Sequence, residues 1–239
     1  MNVYLSSPNS QLQASHVANM PVLLSYAIAG TKGGKWVEQY VPSFSRILID
    51  SGAYSEFNTG KKIDLGKYID WSARWEGHAD AIAGLDDIAG DWRKSLANFE
   101  RFPRGFPTFH DTDPWEFLPD LIAMARERRR ADGRGWIGLG LKPPRGGKEA
   151  WVRRACDLIP DDLHVHGWAL REYTQIRRLD SVDSCNWFMD SWKILSDPNT
   201  RHLTPSEALE IVVKRYAREN RVIVEPDKTR SLFDMMEAG

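Results

Sequence analysis

Eight short apolar runs, separated by longer stretches of helical periodicity, constrain this chain more than any other feature of its 239 residues. They are Val3 to Ser6, Val22 to Tyr26, Arg46 to Asp50, Ala81 to Asp86, Pro107 to His110, Trp136 to Leu141, Leu163 to Trp168 and Ser181 to Cys185. Runs such as Ile47-Leu48-Ile49 and Ala81-Ile82-Ala83 are continuously apolar, as parallel strands covered on both faces must be. Leu65 to Trp75, Pro114 to Arg130, Lys148 to Leu158 and Ala169 to Arg178 are each long enough to be crossover helices. This alternation predicts an α/β chain with right-handed crossovers, and eight such strands predict a TIM-type (β/α)8 barrel.

Local signals support these boundaries. Asp113-Pro114 reads as a capping Asp before a first-turn proline, and Thr204-Pro205-Ser206-Glu207 reads as a capping box whose helix runs to about Asn220. Val222-Ile223-Val224 is placed outside the barrel. One domain over residues 1–239 is expected, with the barrel in roughly 1–200 and a C-terminal helical extension over 204–239, since barrels of about 250 residues commonly form a single domain.

Composition narrows the partners. Lys and Arg number 32 against 33 Asp and Glu, so a net charge of −1 gives no global attraction to a polyanion, and any nucleic-acid contact must be local. Cys156 and Cys185 are far apart and form no Cys-x-x-Cys or Cys/His cluster, which suggests neither a disulfide framework nor a structural zinc site and fits a reducing cytoplasm. No apolar stretch approaches the ~20 residues that cross a bilayer, and no metal or cofactor is called for.

In such barrels function sits at the C-terminal ends of the strands. Those ends supply Asp50, Asp86 and Asp87, His110, Lys142, His166 and Asp183. Carboxylates placed after apolar strand residues are desolvated and crowded, so at least one pKa should rise, the pattern of paired acid and nucleophile. The alternative for each is a helix cap or an Arg partner. Gly138 and Gly140 lack a Cβ and would let a base approach the strand. Tyr54 either stacks on a base or packs. His164 and His166 share one strand face. A two-histidine metal site there ranks below a structural role, with His166 orienting Asp183 or a sugar. Arg145 and Lys148, beyond the sixth strand, are the phosphate-binding candidates among basic segments that include Arg126 to Arg130, Arg153-Arg154 and Arg177-Arg178.

The segments Ile47-Leu48-Ile49-Asp50-Ser51-Gly52-Ala53-Tyr54, Gly84-Leu85-Asp86-Asp87, Phe106-Pro107-Thr108-Phe109-His110, Trp136-Ile137-Gly138-Leu139-Gly140, Leu163-His164-Val165-His166-Gly167 and Ser181-Val182-Asp183-Ser184 resemble, in this order, the tRNA-guanine transglycosylase superfamily. The resemblance is strongest to short members, often phage-encoded, that insert 7-deazaguanines into DNA. It covers roughly residues 3 to 190. It implies that Asp183 is the nucleophile at the sugar C1′, that Asp50 is the general acid/base, and that Asp86 accepts from the guanine N1–H and amine. It also implies base contacts for Ser51 and for His110, whose alternative is a core histidine. The family's tRNA enzymes carry a cysteine-rich zinc insertion after the nucleophile strand. None follows Asp183, which favours DNA over tRNA. The implied partners are a nucleic acid, a free 7-deazaguanine such as the cyano form preQ0, and a helper protein that opens the duplex. The implied location is the cytoplasm, a host's if phage-encoded. Three other readings compete: a tRNA exchanger, a hydrolase of another N-glycoside, and a nucleic-acid-binding subunit without turnover.

Overall fold

A computed structural model describes residues 1–30, 34, 36–129, 133–143 and 147–220. Its strands are β1 (Asn2–Ser6), β2 (Pro21–Ser25), β3 (Arg46–Asp50), β4 (Ala81–Ile82), β5 (Thr108–His110), β6 (Gly135–Gly140), β7 (Leu163–Gly167) and β8 (Ser181–Ser184). All eight fall within one residue of the start of their predicted runs, and every pairing between them is parallel. They form one sheet in the order β4-β3-β2-β1-β8-β7-β6-β5, curled so that its two end strands approach each other. Between β4 and β5 the ladder is reduced to a single bridge, Ala83 to Phe106, with Phe106 N donating to Ile82 O and Gly84 N to Phe106 O, both at 2.8 Å.

The helices are α1 (Gln11–His16), α2 (Tyr26–Ala29), α3 (Val37–Tyr40), α4 (Ala53–Thr59), α5 (Leu65–Ala73), α6 (Trp92–Arg101), α7 (Leu118–Glu127), α8 (Glu149–Leu158), α9 (Asn186–Ser196) and α10 (Pro205–Glu219). None of the described helices is long and apolar enough to cross a membrane.

Strand side chains alternate between two cores. Val3, Leu5, Val22, Leu24, Ile47, Ile49, Ile137, Leu139, Val165 and Val182 face outward into the main apolar layer shared with the helices. Tyr4, Leu23, Leu48, Ala81, Ala83, Phe106 and Trp136 form a second cluster inside the curl, with Trp168 packed on it. Two residues further along, the inward positions turn polar: Ser6, Ser25, Asp50, His110 and, in register with Tyr4, Asp183. The apolar interior therefore floors a polar mouth at the C-terminal strand ends.

Expectations change at two connections. The segment 169–178 is not a crossover helix: only Arg171–Tyr173 forms a 3-10 turn, within successive i to i+3 bonds, Tyr173 N to Leu170 O, Ile176 N to Tyr173 O and Leu179 N to Ile176 O. Leu170, Tyr173, Ile176 and Leu179 are all buried, so the apolar period is three, which suits a 3-10 path. The helix expected from Pro114 begins at Leu118 after a 3-10 turn at Trp115–Phe117, and Asp113 is not its cap. In the C-terminal extension, α10 carries the predicted Thr204/Glu207 capping box and packs on α9 and α1; the rest of the extension, with the run Val222 to Val224 expected outside the barrel, lies outside the described residues.

The seam between β4 and β5 requires two small residues. A Cβ on Gly105 would lie 2.9 Å from Gly84 Cα and 3.0 Å from its nitrogen, backbone that cannot rotate away. Gly105→Ala is expected to destabilise the protein by about 1–3 kcal/mol, lowering the melting temperature by several degrees. An unchanged melting curve would show that the seam yields freely.

Candidate active site

A cavity of about 210 Å³ opens at the C-terminal strand ends, lined among others by Ser6, Ser25, Asp50, Tyr54, Asp86, His110, Gly140, Trp168, Ala169 and Asp183. It brings together Asp50, Asp86 and Asp183, which strand order alone had placed on β3, after β4 and on β8.

The three carboxyl groups are held in different environments. Burial raises the Asp50 carboxyl to about 7, against the weaker opposing hydrogen bonds from the Ser25 hydroxyl and the Gly52 amide; the charges of Asp86 and Asp183 push it further up. Ser25 lies opposite Asp50 in the β2–β3 register, which is why its hydroxyl reaches it. Asp183 is only 9 % exposed, yet its pKa is lowered. Burial raises it, but His166, the Ala169 amide and the Ser6 hydroxyl together outweigh burial. Ser6 Oγ donates to Oδ2 at 2.7 Å and Ala169 N to Oδ1 at 2.6 Å, while His166 Nε2 lies 3.6 Å from Oδ1. Ala169 reaches this position with φ at +52°, in the left-handed region that a non-glycine residue adopts at a cost.

Asp86 has a cationic partner. His110 Nε2 sits 2.9 Å from Asp86 Oδ2, and His110 Nδ1 sits 3.7 Å from Asp113 Oδ2, which also accepts from the His110 amide at 2.8 Å. Burial lowers the imidazole pKa, but the two carboxylates more than reverse this and raise it to about 10. His110 is thus an imidazolium that fixes Asp86, and Asp113 belongs to that triad and not to a helix start.

The remaining candidates divide between the cavity wall and the protein interior. Ser51 is fully buried and its Oγ accepts from the Ala53 amide at 3.3 Å, so it shapes the turn into α4 and makes no cavity wall. Gly138 keeps room for protein and not for a base: a Cβ there would meet Trp168 Nε1 at 2.4 Å and Thr108 Oγ1 at 2.7 Å. At Gly140 the same space is taken by the His110 ring, 2.5 Å from that Cβ position, although Gly140 does line the cavity. Tyr54 stands at the rim, 44 % exposed. His166 lies behind Asp183, fully buried, with Nε2 3.6 Å from Oδ1. His164 bonds Ser181 and stacks on Trp136; among the described residues no group of three or more His, Cys, Asp or Glu is placed to hold a metal ion.

The basic candidates are engaged elsewhere. The Lys148 ammonium binds the Asp111 carboxylate and the Lys142 carbonyl, and Lys142 Nζ donates to Ala89 O at 3.0 Å. Arg145 lies outside the described residues. Arg126 and Arg129 pair with Asp162, and Arg178 with Asp180, all beside the N-terminal ends of β7 and β8 and away from the cavity. Asp87 pairs with Lys94 at 2.5 Å.

Sequence reasoning missed Ser6, Ser25, Trp168, the Ala169 amide and Asp113. Alternation from inward neighbours marks the first three: Ser6 lies two residues beyond Tyr4, Ser25 two beyond Leu23 and Trp168 two beyond His166. No family model matches the chain, and no curated protein matches it. Geometry therefore carries the functional argument.

The raised pKa has a consequence for stability. A folded value near 7, above the ordinary value of about 4, means that protonated Asp50 stabilises the fold most below about pH 4, and that this contribution is lost as pH rises through 7. Asp50→Asn, which mimics the neutral acid, is expected to gain on the wild type between pH 4 and 7 and to be the more stable on a plateau above it, by on the order of 3 kcal/mol. Urea unfolding at pH 4, 6 and 8 measures this; a pH-independent difference would contradict the shift.

Proposed function

We propose that this protein is a base-exchange transglycosylase that replaces guanine in a nucleic acid, with DNA the preferred substrate, by a 7-deazaguanine such as preQ0. The observation that carries the reading is a carboxyl that holds its proton up to about pH 7 in the same cavity as one held anionic. Environments that push two carboxyl pKa values apart assign the acid and the nucleophile. We read the curled sheet as a (β/α)8 barrel sealed at the β4–β5 bridge, with the cavity at its catalytic end.

In the first half-reaction an Asp183 oxygen attacks C1′ and the bond from C1′ to the guanine ring nitrogen breaks. Its electron pair stays with guanine, which takes a proton from Asp50, and the sugar remains as an aspartyl ester. In the second, Asp50 removes the ring N–H proton of the incoming 7-deazaguanine. That nitrogen attacks C1′, the ester bond breaks, and Asp183 recovers its carboxylate. Two displacements on opposite faces retain configuration, as in a retaining glycosidase. Asp86 presents Oδ1 beside its His110-bound Oδ2 to the paired donors of guanine, a pattern that adenine lacks. Trp168 supplies an apolar floor. A cavity this small takes one extruded base, so the target must leave the stack.

The test is an exchange assay with DNA or tRNA carrying labelled guanine and free preQ0, read by label release and nucleoside mass spectrometry. Replacement in DNA is expected, with Asp183→Ala inactive and forming no covalent adduct. Asp50→Asn is expected to lose about 10²–10⁴-fold in kcat and the basic limb near pH 7. Exchange by Asp183→Ala, or release of base without replacement, would overturn the reading; replacement in tRNA alone would overturn the preference for DNA.

A further inference from the structure

The inside of the curled sheet holds a hydrogen-bonded chain that the reaction above does not use. Ser181 Oγ, fully buried on β8, bridges two imidazoles of β7: it lies 2.7 Å from His164 Nε2 and 2.9 Å from His166 Nδ1. Tyr4 and Trp168 meet the His166 ring nearly edge-on, with ring centroids at 6.0 and 4.5 Å. Its remaining nitrogen, Nε2, is buried with no hydrogen-bond partner and lies 3.6 Å from Asp183 Oδ1.

A serine hydroxyl has one hydrogen, so it donates to one imidazole and accepts from the other. The Asp183 carboxylate is an acceptor only; a bare Nε2 facing it would set lone pair against lone pair. A ring carrying a single proton therefore holds it on Nε2, and Nδ1 is bare. Nδ1 must then accept the Ser181 hydrogen, which leaves Ser181 Oγ to accept from His164 Nε2–H. His164 suits that donor role. Burial above all lowers its pKa to about 2, which leaves the ring neutral, and that ring is held flat on Trp136 at 3.6 Å.

We propose that Ser181 and His164 are positioning residues that commit the His166 proton to Nε2 and aim it, beside the Ala169 amide, at Asp183 Oδ1. The proposal rests on the transglycosylase reading for its catalytic meaning. When the aspartyl ester breaks, the electron pair of the C1′–O bond returns to Asp183, and a second N–H at Oδ1 stabilises the charge that develops. The 3.6 Å separation is long for a hydrogen bond and shortens as that charge grows.

Two experiments test this on the full chain. In ¹⁵N-histidine NMR without substrate, both His164 and His166 are expected to carry the proton on Nε2 with Nδ1 bare; a proton on His166 Nδ1, in a neutral or a cationic ring, would overturn the proposal. In the exchange assay, Ser181→Ala and His164→Leu are expected to lower kcat about 10–100-fold, the range usual for groups that orient a reactive residue, with KM within about twofold. His164→Gln, which retains a donor at the Nε2 position, is expected to recover most of kcat. Full kcat in Ser181→Ala, or equal damage in both His164 variants when all melt like wild type, would sink it. The NMR result stands even if no nucleic acid is exchanged, so failure of the functional reading and failure of the positioning chain are separable.

Discussion

Three carboxyl groups around one cavity cannot all be charged and all be bare, and the rest of the site follows from how that repulsion is relieved. Each is relieved differently. Asp86 receives an imidazolium, itself clamped by Asp113. Asp183 receives the Ser6 hydroxyl and the Ala169 amide. Asp50 has the weakest compensation and keeps a proton to about pH 7. The opposite pKa directions of Asp50 and Asp183 are thus a product of unequal solvation and not of residue type, since both are aspartates.

The fold was legible because burial on two faces leaves a strong trace. Ile47-Leu48-Ile49 is apolar throughout because Leu48 fills the interior while its neighbours face helices. The site was legible only in part. Asp50, Asp86 and Asp183 stood out as charges after apolar runs, whereas Ser6 and Ser25 are small, common at strand ends, and gain meaning only from the register that sets Ser25 opposite Asp50. The Ala169 contact was hidden further, because it is a backbone amide delivered by a positive φ. Asp113 misled because an Asp before Pro reads as a cap; its partner, His110, becomes visible only when the turn brings the two together. Gly138 misled in the opposite way. Its missing Cβ does mark a close approach, but of Trp168 and Thr108, so a glycine in a strand signals crowding without saying by what.

Charge outside the cavity follows the same economy of pairing. The arginines near the N-terminal strand ends, Arg126, Arg129, Arg134 and Arg178, are tied to Asp162 and Asp180. They bind strands and helix ends together at the end of the sheet opposite the cavity. Lys148, on the active side, is spent on the loop after β6. On the proposed function, reading of the base edge would be concentrated at the Asp86–His110 pair. A carboxylate held by a buried imidazolium keeps its geometry without a ligand, so little ordering is left to occur on binding; on the proposed function, guanine and 7-deazaguanine, which share the same donor edge, would meet one preset site in both half-reactions.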